Sequence, residues 1–162
     1  MPSPLRQSLS EAFDGMGAHV SPLGAIENLS SAQARKRVHP KLPTIWEELA
    51  HIVYWQDWLL KAARGINAKL PSSHEAGWPN MPPVREAKKK WAGLVRRFAR
   101  GLKEAEGYAL TMRLTTRLKT KYKRSYGSVL VTLVDHNAYH LGQIVQMRKM
   151  MGLWPPPSGG CP

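Results

Sequence analysis

Two histidines, His136 and His140, lie four residues apart in a segment rich in apolar residues. Side chains at positions i and i+4 of an α-helix lie one above the other on the same face. Two imidazoles so placed can bind one metal ion as neighbouring ligands, or they can be buried histidines that are satisfied by hydrogen bonds. The spacing alone leaves both interpretations open and favours the second.

The segment that carries these histidines is predicted to be one long helix, residues 125–151. It contains no proline, and apolar residues recur at every third or fourth position in phase with the histidines. This stripe comprises Val129, Leu133, His136, His140, Ile144, Met147 and Met151. The two imidazoles are therefore expected to face the core of the protein.

A third histidine, His51, lies on a second predicted long helix, residues 44–64. Thr44 and Glu47 have the spacing of a capping box, and Gly65 is expected to end the helix. In an antiparallel bundle this helix can pack against the helix at 125–151. Three neutral imidazoles would suit zinc, nickel or iron(II) and would leave coordination positions for water or substrate.

The remaining helix signals predict an all-α protein. A third long helix is expected over residues 83–105 and a short one over residues 5–14. These elements and the two helices above predict an up-and-down four-helix bundle, formed by a single domain over residues 1–162. The tail, residues 152–162, is rich in proline and is expected to be irregular.

Two connecting segments are less regular. Residues 66–83 contain four prolines and are expected to form a long loop. Trp78 in that loop is expected to act either as a plug on the core or as a lid on a pocket, and the plug is slightly favoured. Residues 109–125 are dense in Arg, Lys and Thr, and their weak alternation does not decide between a strand and a loop.

The composition narrows the class of protein. Lys and Arg number 24 against 11 acidic residues, a formal net charge of +13, which makes anionic partners plausible, from small acids to nucleic acid. No stretch reaches the roughly 18 apolar residues that a membrane span needs, and the N-terminus lacks a signal-peptide pattern. The single cysteine, Cys161, cannot form an intramolecular disulfide. We therefore expect a cytoplasmic protein without a membrane partner.

Basic side chains are concentrated in two places. One group lies on the predicted helix at 83–105 and comprises Lys88, Lys89, Lys90, Arg96, Arg97, Arg100 and Lys103. The other precedes the last helix and comprises Arg113, Arg117, Lys119, Lys121, Lys123 and Arg124. A solvated surface is the simpler interpretation of the helical group, and a nucleic-acid surface is the alternative.

Three segments together resemble the DinB-like superfamily, a damage-inducible group of metal-binding four-helix proteins. The run VDHNAYHLGQI at 134–144, followed by GLWPPP at 152–157, is similar to that family's C-terminal signature. The run TIWEELAH at 44–51 resembles its second-helix segment, and AHVSP at 18–22 resembles its N-terminal turn. The resemblance covers most of the chain and is weakest between about 60 and 125.

The resemblance implies a divalent metal held by His51, His136 and His140. Zinc and nickel are the preferred candidates for this metal, and iron is the alternative. Family members of known activity include transferases and isomerases that use bacterial low-molecular-weight thiols. A metal-dependent transferase or hydrolase with a small-molecule substrate and a low-molecular-weight thiol is therefore one hypothesis. The alternatives are a non-catalytic bacterial stress-response metal-binding module and a basic nucleic-acid-binding module, and a homodimer remains open.

Other polar residues are assigned no catalytic role. Gln143, one turn beyond the second histidine, can orient a ligand or satisfy a backbone group. Glu47 is explained by its capping role alone, and His19 matches the family turn without a further assignment. Asp135 points about 100° around the helix from its neighbouring histidine and is expected to face elsewhere. Cys161 is not expected to be a nucleophile.

Overall fold

The computed structural model describes residues 3–15 and 19–160, and every regular element in that part of the chain is helical. The α-helices are α1 (Pro4–Asp14), α2 (Ser31–Arg35), α3 (Ile45–Ala63), α4 (Ala87–Thr111) and α5 (Tyr126–Met150). The predicted all-α bundle is confirmed. None of the described helices combines the length and the apolar character needed to cross a membrane. Ala18 and Cys161 lie outside the described residues.

Helix α3 packs against both α4 and α5. Its start has the predicted capping box. The Glu47 N–H donates to Oγ1 of Thr44 at 3.2 Å, and the Thr44 N–H donates to Oε2 of Glu47 at 2.7 Å. Helix α1 completes the bundle against α4 and α5. The fully buried core side chains include Ile45, Leu49, Ile52, Phe98, Leu130, Leu133 and Ile144.

Helices α3 and α4 are in close contact where Gln56 meets Gly101. Gln56 is fully buried, and its Nε2 donates to the carbonyl oxygen of Phe98 at 3.2 Å. A Cβ at position 101 would lie 1.9 Å from that nitrogen, so a larger residue would displace the glutamine. The amide nitrogen of Gln56 is thereby paired across the helix interface, whereas its buried Oε1 has no hydrogen-bond partner among residues 3–15 and 19–160.

Helix α4 differs from the predicted 83–105 at both ends. Residues 84–86 form a separate 3-10 turn, and α4 begins at Ala87 and continues to Thr111. The last turns are explained by Ala105 and Ala109, which are fully buried and extend the apolar stripe. Beyond α4 the basic segment is a loop, stabilised by an isolated bridge between Arg117 and Ser125.

Helix α5 agrees with the predicted 125–151 to within one residue at each end. Near its C-terminus Arg148 is 3% exposed and donates to the carbonyl oxygens of Gly24, Ala25 and Leu153 at 3.2, 2.9 and 3.1 Å. These hydrogen bonds attach the segment before α2 and the start of the tail to α5. The long helix that carries two of the site histidines is thus held by contacts at its end as well as along its length.

Candidate metal centre

The three predicted site histidines meet where α3 packs against α5. One ring nitrogen from each of His51, His136 and His140 lies within 4.8 Å of the others. The Nε2 atoms of His51 and His136 are 3.3 Å apart. Two nitrogens that bind one tetrahedral ion at about 2.0–2.1 Å lie about 3.4 Å from each other. This pair therefore already has the spacing of two ligands of one ion.

Burial keeps two of these imidazoles uncharged at neutral pH. Loss of hydration lowers the pKa of His51 from 6.5 to about 4, despite an opposing hydrogen bond to Gly77. Loss of hydration, with the neighbouring imidazoles acting in the same direction, lowers the pKa of His136 from 6.5 to about 4. A neutral imidazole is the form that binds a metal ion. His51 and His136 are therefore available as donors at physiological pH.

The loop at 66–83 orients His51. The Nδ1–H of His51 donates to the carbonyl oxygen of Gly77 at 2.7 Å. Because a carbonyl only accepts, Nδ1 carries the proton and Nε2 presents its lone pair to the site. Trp78 stacks on the imidazole with ring centroids 3.9 Å apart and planes 17° apart. Trp78 is thus half-buried against the site, and not the core plug that the sequence favoured.

Glu48, which sequence analysis did not identify, is the buried acid of the site. It is fully buried, and its Oε2 accepts a hydrogen bond from the Nδ1–H of His140 at 2.7 Å. The Nε2 of His140 is then the atom that carries the lone pair. The sequence contained a signal for this role: Glu48 lies three residues before His51 and therefore on the same face of α3. The sequence analysis instead considered the adjacent Glu47, whose capping role accounts for its position.

The donor set fits a divalent ion. Three imidazoles converge. His51 and His140 carry the proton on Nδ1, because Nδ1 donates to Gly77 and Glu48 respectively. The Nε2 of His136 lies at the distance from Nε2 of His51 that two ligands of one ion have. Oε1 of Glu48 is buried and has no hydrogen-bond partner among residues 3–15 and 19–160. Such a buried carboxylate adds the negative charge that a divalent cation compensates. Zinc, nickel and iron(II) all accept this type of nitrogen donor.

The histidines line a cavity of about 1060 Å³ between α3, α5 and the loop at 66–83. Its apolar wall includes Trp55, Leu70 and Trp78. Gln143 lines the cavity, as does Asp135, which was expected to face elsewhere and is exposed at its edge. A small molecule can therefore reach the imidazoles from solvent.

Two other candidate residues lie away from the histidines. Both carboxylate oxygens of Glu47 accept from Nη2 of Arg37 at 3.0 Å, in addition to the capping contact. The Nδ1–H of His19 donates to the carbonyl oxygen of Val20 at 2.8 Å, and His19 lines a separate cavity of about 580 Å³. Glu47 therefore acts as a helix cap.

The family model of the DinB superfamily matches residues 22–144. The matched range contains all three site histidines and Glu48. No curated protein and no solved structure matches the chain.

Proposed function

The chain belongs to the DinB superfamily, and from this membership and its three-histidine cluster we propose that it is a divalent-metal-dependent enzyme acting on a small molecule. The observation that carries the proposal is the convergence of His51, His136 and His140 in the wall of an open cavity. Structural zinc sites are closed by four protein ligands, whereas three ligands beside a cavity leave positions for a substrate. Zinc and nickel are the first candidates, and iron(II) is the next.

In this proposal each residue of the centre is assigned one task. The three histidines would hold the ion through ring nitrogens. A bound divalent ion supplies Lewis-acid chemistry, which favours an anionic ligand such as a thiolate or polarises a carbonyl. Glu48 and the carbonyl of Gly77 keep His140 and His51 in the tautomer that binds metal. Trp78 excludes water from one face of the His51 ring.

Within this class we propose transfer that depends on a low-molecular-weight thiol. The thiol loses its proton to solvent, and the sulfur lone pair forms a bond to an electrophilic carbon of the second substrate. The bond from that carbon to its leaving group breaks, and the leaving group keeps the electron pair. A cavity of about 1060 Å³ with apolar walls and a net charge of +13 support an anionic thiolate beside an organic electrophile. Hydrolysis, with water in place of the thiol, is the alternative within the same class.

Cobalt(II)-substituted protein tests the thiol hypothesis directly. Thiolate ligation to cobalt produces a sulfur-to-metal charge-transfer band in the near ultraviolet. We expect the band to rise during titration with cysteine or glutathione, and to be absent from the His136→Ala variant. The transfer step is then measured as chloride release from 1-chloro-2,4-dinitrobenzene. Full cobalt occupancy with no band from either thiol would contradict thiol-dependent transfer.

A further inference from the structure

A second cavity of about 380 Å³ adjoins the one that contains the histidines. Four residues line both cavities: Trp55, Leu70, Thr132 and His136. A molecule that contacts His136 in the larger cavity can therefore extend into the smaller one. The smaller cavity is bounded on its far side by the basic loop between α4 and α5, a segment that the proposed metal chemistry does not use.

The wall of the second cavity is aromatic. Trp58 packs edge-on against Trp55 and Tyr122, with ring centroids 5.9 and 5.0 Å apart. The Trp58 Nε1–H donates to the carbonyl oxygen of Lys69 at 3.0 Å, and the Tyr122 hydroxyl donates to that of Ala68 at 2.7 Å. The polar atoms of Trp58 and Tyr122 are thus engaged by the loop at 66–83. These two rings therefore offer a ligand apolar ring surface.

Arg124 lines this cavity and differs from the other arginines that are withdrawn from solvent. Arg6, Arg35 and Arg148 each donate to backbone carbonyl oxygens. Arg124 is half-buried as a residue, and its guanidinium makes neither an ion pair nor a side-chain hydrogen bond within residues 3–15 and 19–160. A guanidinium that lines a cavity and has no protein partner can form an ion pair with a ligand anion.

We propose that the second cavity recognises the substrate, with the aromatic wall binding an apolar or aromatic body and Arg124 binding its carboxylate. The position of the reactive end at the three histidines rests on the proposed function. Arg124 is the one Lys or Arg among the described residues that line this cavity. A single guanidinium matches a monoanion and binds a carboxylate through two parallel hydrogen bonds. A phosphate dianion would bring a second charge without a matching cation.

The test compares 4-phenylbutyrate with 4-phenylbutyramide by titration calorimetry on metal-free protein at pH 7.5. Without metal, any preference for the acid cannot come from coordination to an ion. The carboxylate is expected to bind about tenfold more tightly than the amide, the factor that one charge-assisted contact of about 1.4 kcal/mol gives. Arg124→Gln should remove this preference. Arg117→Gln, the same change at an exposed position in the same loop, should retain it.

Three results would overturn the inference: equal affinities for acid and amide in the unmodified protein, a preference that survives in Arg124→Gln, or a preference lost equally in Arg117→Gln. Arg124→Met serves as a second variant with the same expectation, and far-ultraviolet circular dichroism confirms that each variant is folded. Failure of the protein to bind metal would contradict the proposed enzyme and would leave this comparison unchanged, since it is made without metal.

Discussion

Nδ1 of His140 on α5 lies 2.7 Å from Oε2 of Glu48 on α3, and Glu48 is fully buried. Helix α3 therefore supplies both one site histidine and the carboxylate that orients another. A carboxylate hydrogen-bonded to a metal-binding imidazole fixes its tautomer and increases its basicity. The hydrogen bond between Glu48 and His140 thus joins α3 to α5 and also orients a metal-binding imidazole.

Replacement of Glu48 by glutamine should weaken zinc binding by about 10- to 100-fold. The amide can still accept the hydrogen bond from His140, but the negative charge that strengthens the imidazole as a donor is gone. Competition with a chromophoric chelator measures the affinity. Glu47→Gln is the matched control, because it changes the neighbouring residue and keeps a side chain that can cap the helix. Equal affinities for the two variants would contradict the role of Glu48.

Replacement of His140 by alanine should abolish metal binding while the protein remains helical. The helices should persist because the residues around His140 in the interface are apolar. Metal content measures the loss of binding, and far-ultraviolet circular dichroism measures whether the helices remain. The free energy of unfolding of the metal-free variant should also fall by about 3–5 kcal/mol, because Glu48 loses the partner of its buried carboxylate. Adding Glu48→Leu should recover most of that loss. Full metal retention in His140→Ala would remove His140 from the ligand set.

The metal-free protein should become less stable as the pH falls from 7.5 to 5. His51 and His136 have pKa values of about 4 in the folded protein and about 6.5 when unfolded. Between these values the unfolded chain binds more protons, so acid favours unfolding, by on the order of 1–2 kcal/mol for each histidine at pH 5. Urea denaturation at several pH values measures how steeply the free energy of unfolding falls with pH. The His136→Ala variant should show a shallower fall, and an unchanged fall would contradict the assignment of this pH dependence to the buried histidines.

The basic face of α4 should bind duplex DNA weakly and without sequence preference. Its exposed residues include Lys88, Lys89, Arg96, Arg100 and Lys103. Binding through phosphate contacts alone decreases steeply as salt displaces the protein from the backbone. Fluorescence anisotropy with two unrelated duplexes at 50 and about 200 mM salt tests this expectation. Tight binding at the higher salt with strong preference for one duplex would favour the nucleic-acid hypothesis.

Much of the fold follows from local sequence signals. The Thr44 and Glu47 pair determines where α3 begins, and the apolar stripe through Val129 and Leu133 determines which face of α5 is buried. The end of α4 was missed because Ala109 is small and contributes little to a hydrophobic pattern. Its burial results from close packing with other helices, and the sequence of α4 alone does not show that packing.

The site was only partly predictable for a similar reason. The spacing of His136 and His140 places them on one face, and the resemblance of the second-helix segment identifies His51. The partners of these histidines come from tertiary structure: Glu48 across a helix interface, and Trp78 from an irregular loop. The spacing of Glu48 and His51 shows that they share a face of α3, but not that Glu48 contacts His140 on α5. No local pattern places Trp78 against His51, because Trp78 belongs to an irregular loop.

The content of bound metal in protein purified without a histidine tag tests the central claim most directly. Elemental analysis should find about one divalent ion per chain, with three imidazole donors from His51, His136 and His140. Each single alanine variant should lose the ion, whereas His74→Ala, a histidine that lines the same cavity outside the cluster, should retain it. An ion retained in a variant that lacks all three site histidines, or no binding after addition of zinc, nickel and iron(II), would contradict the three-histidine centre.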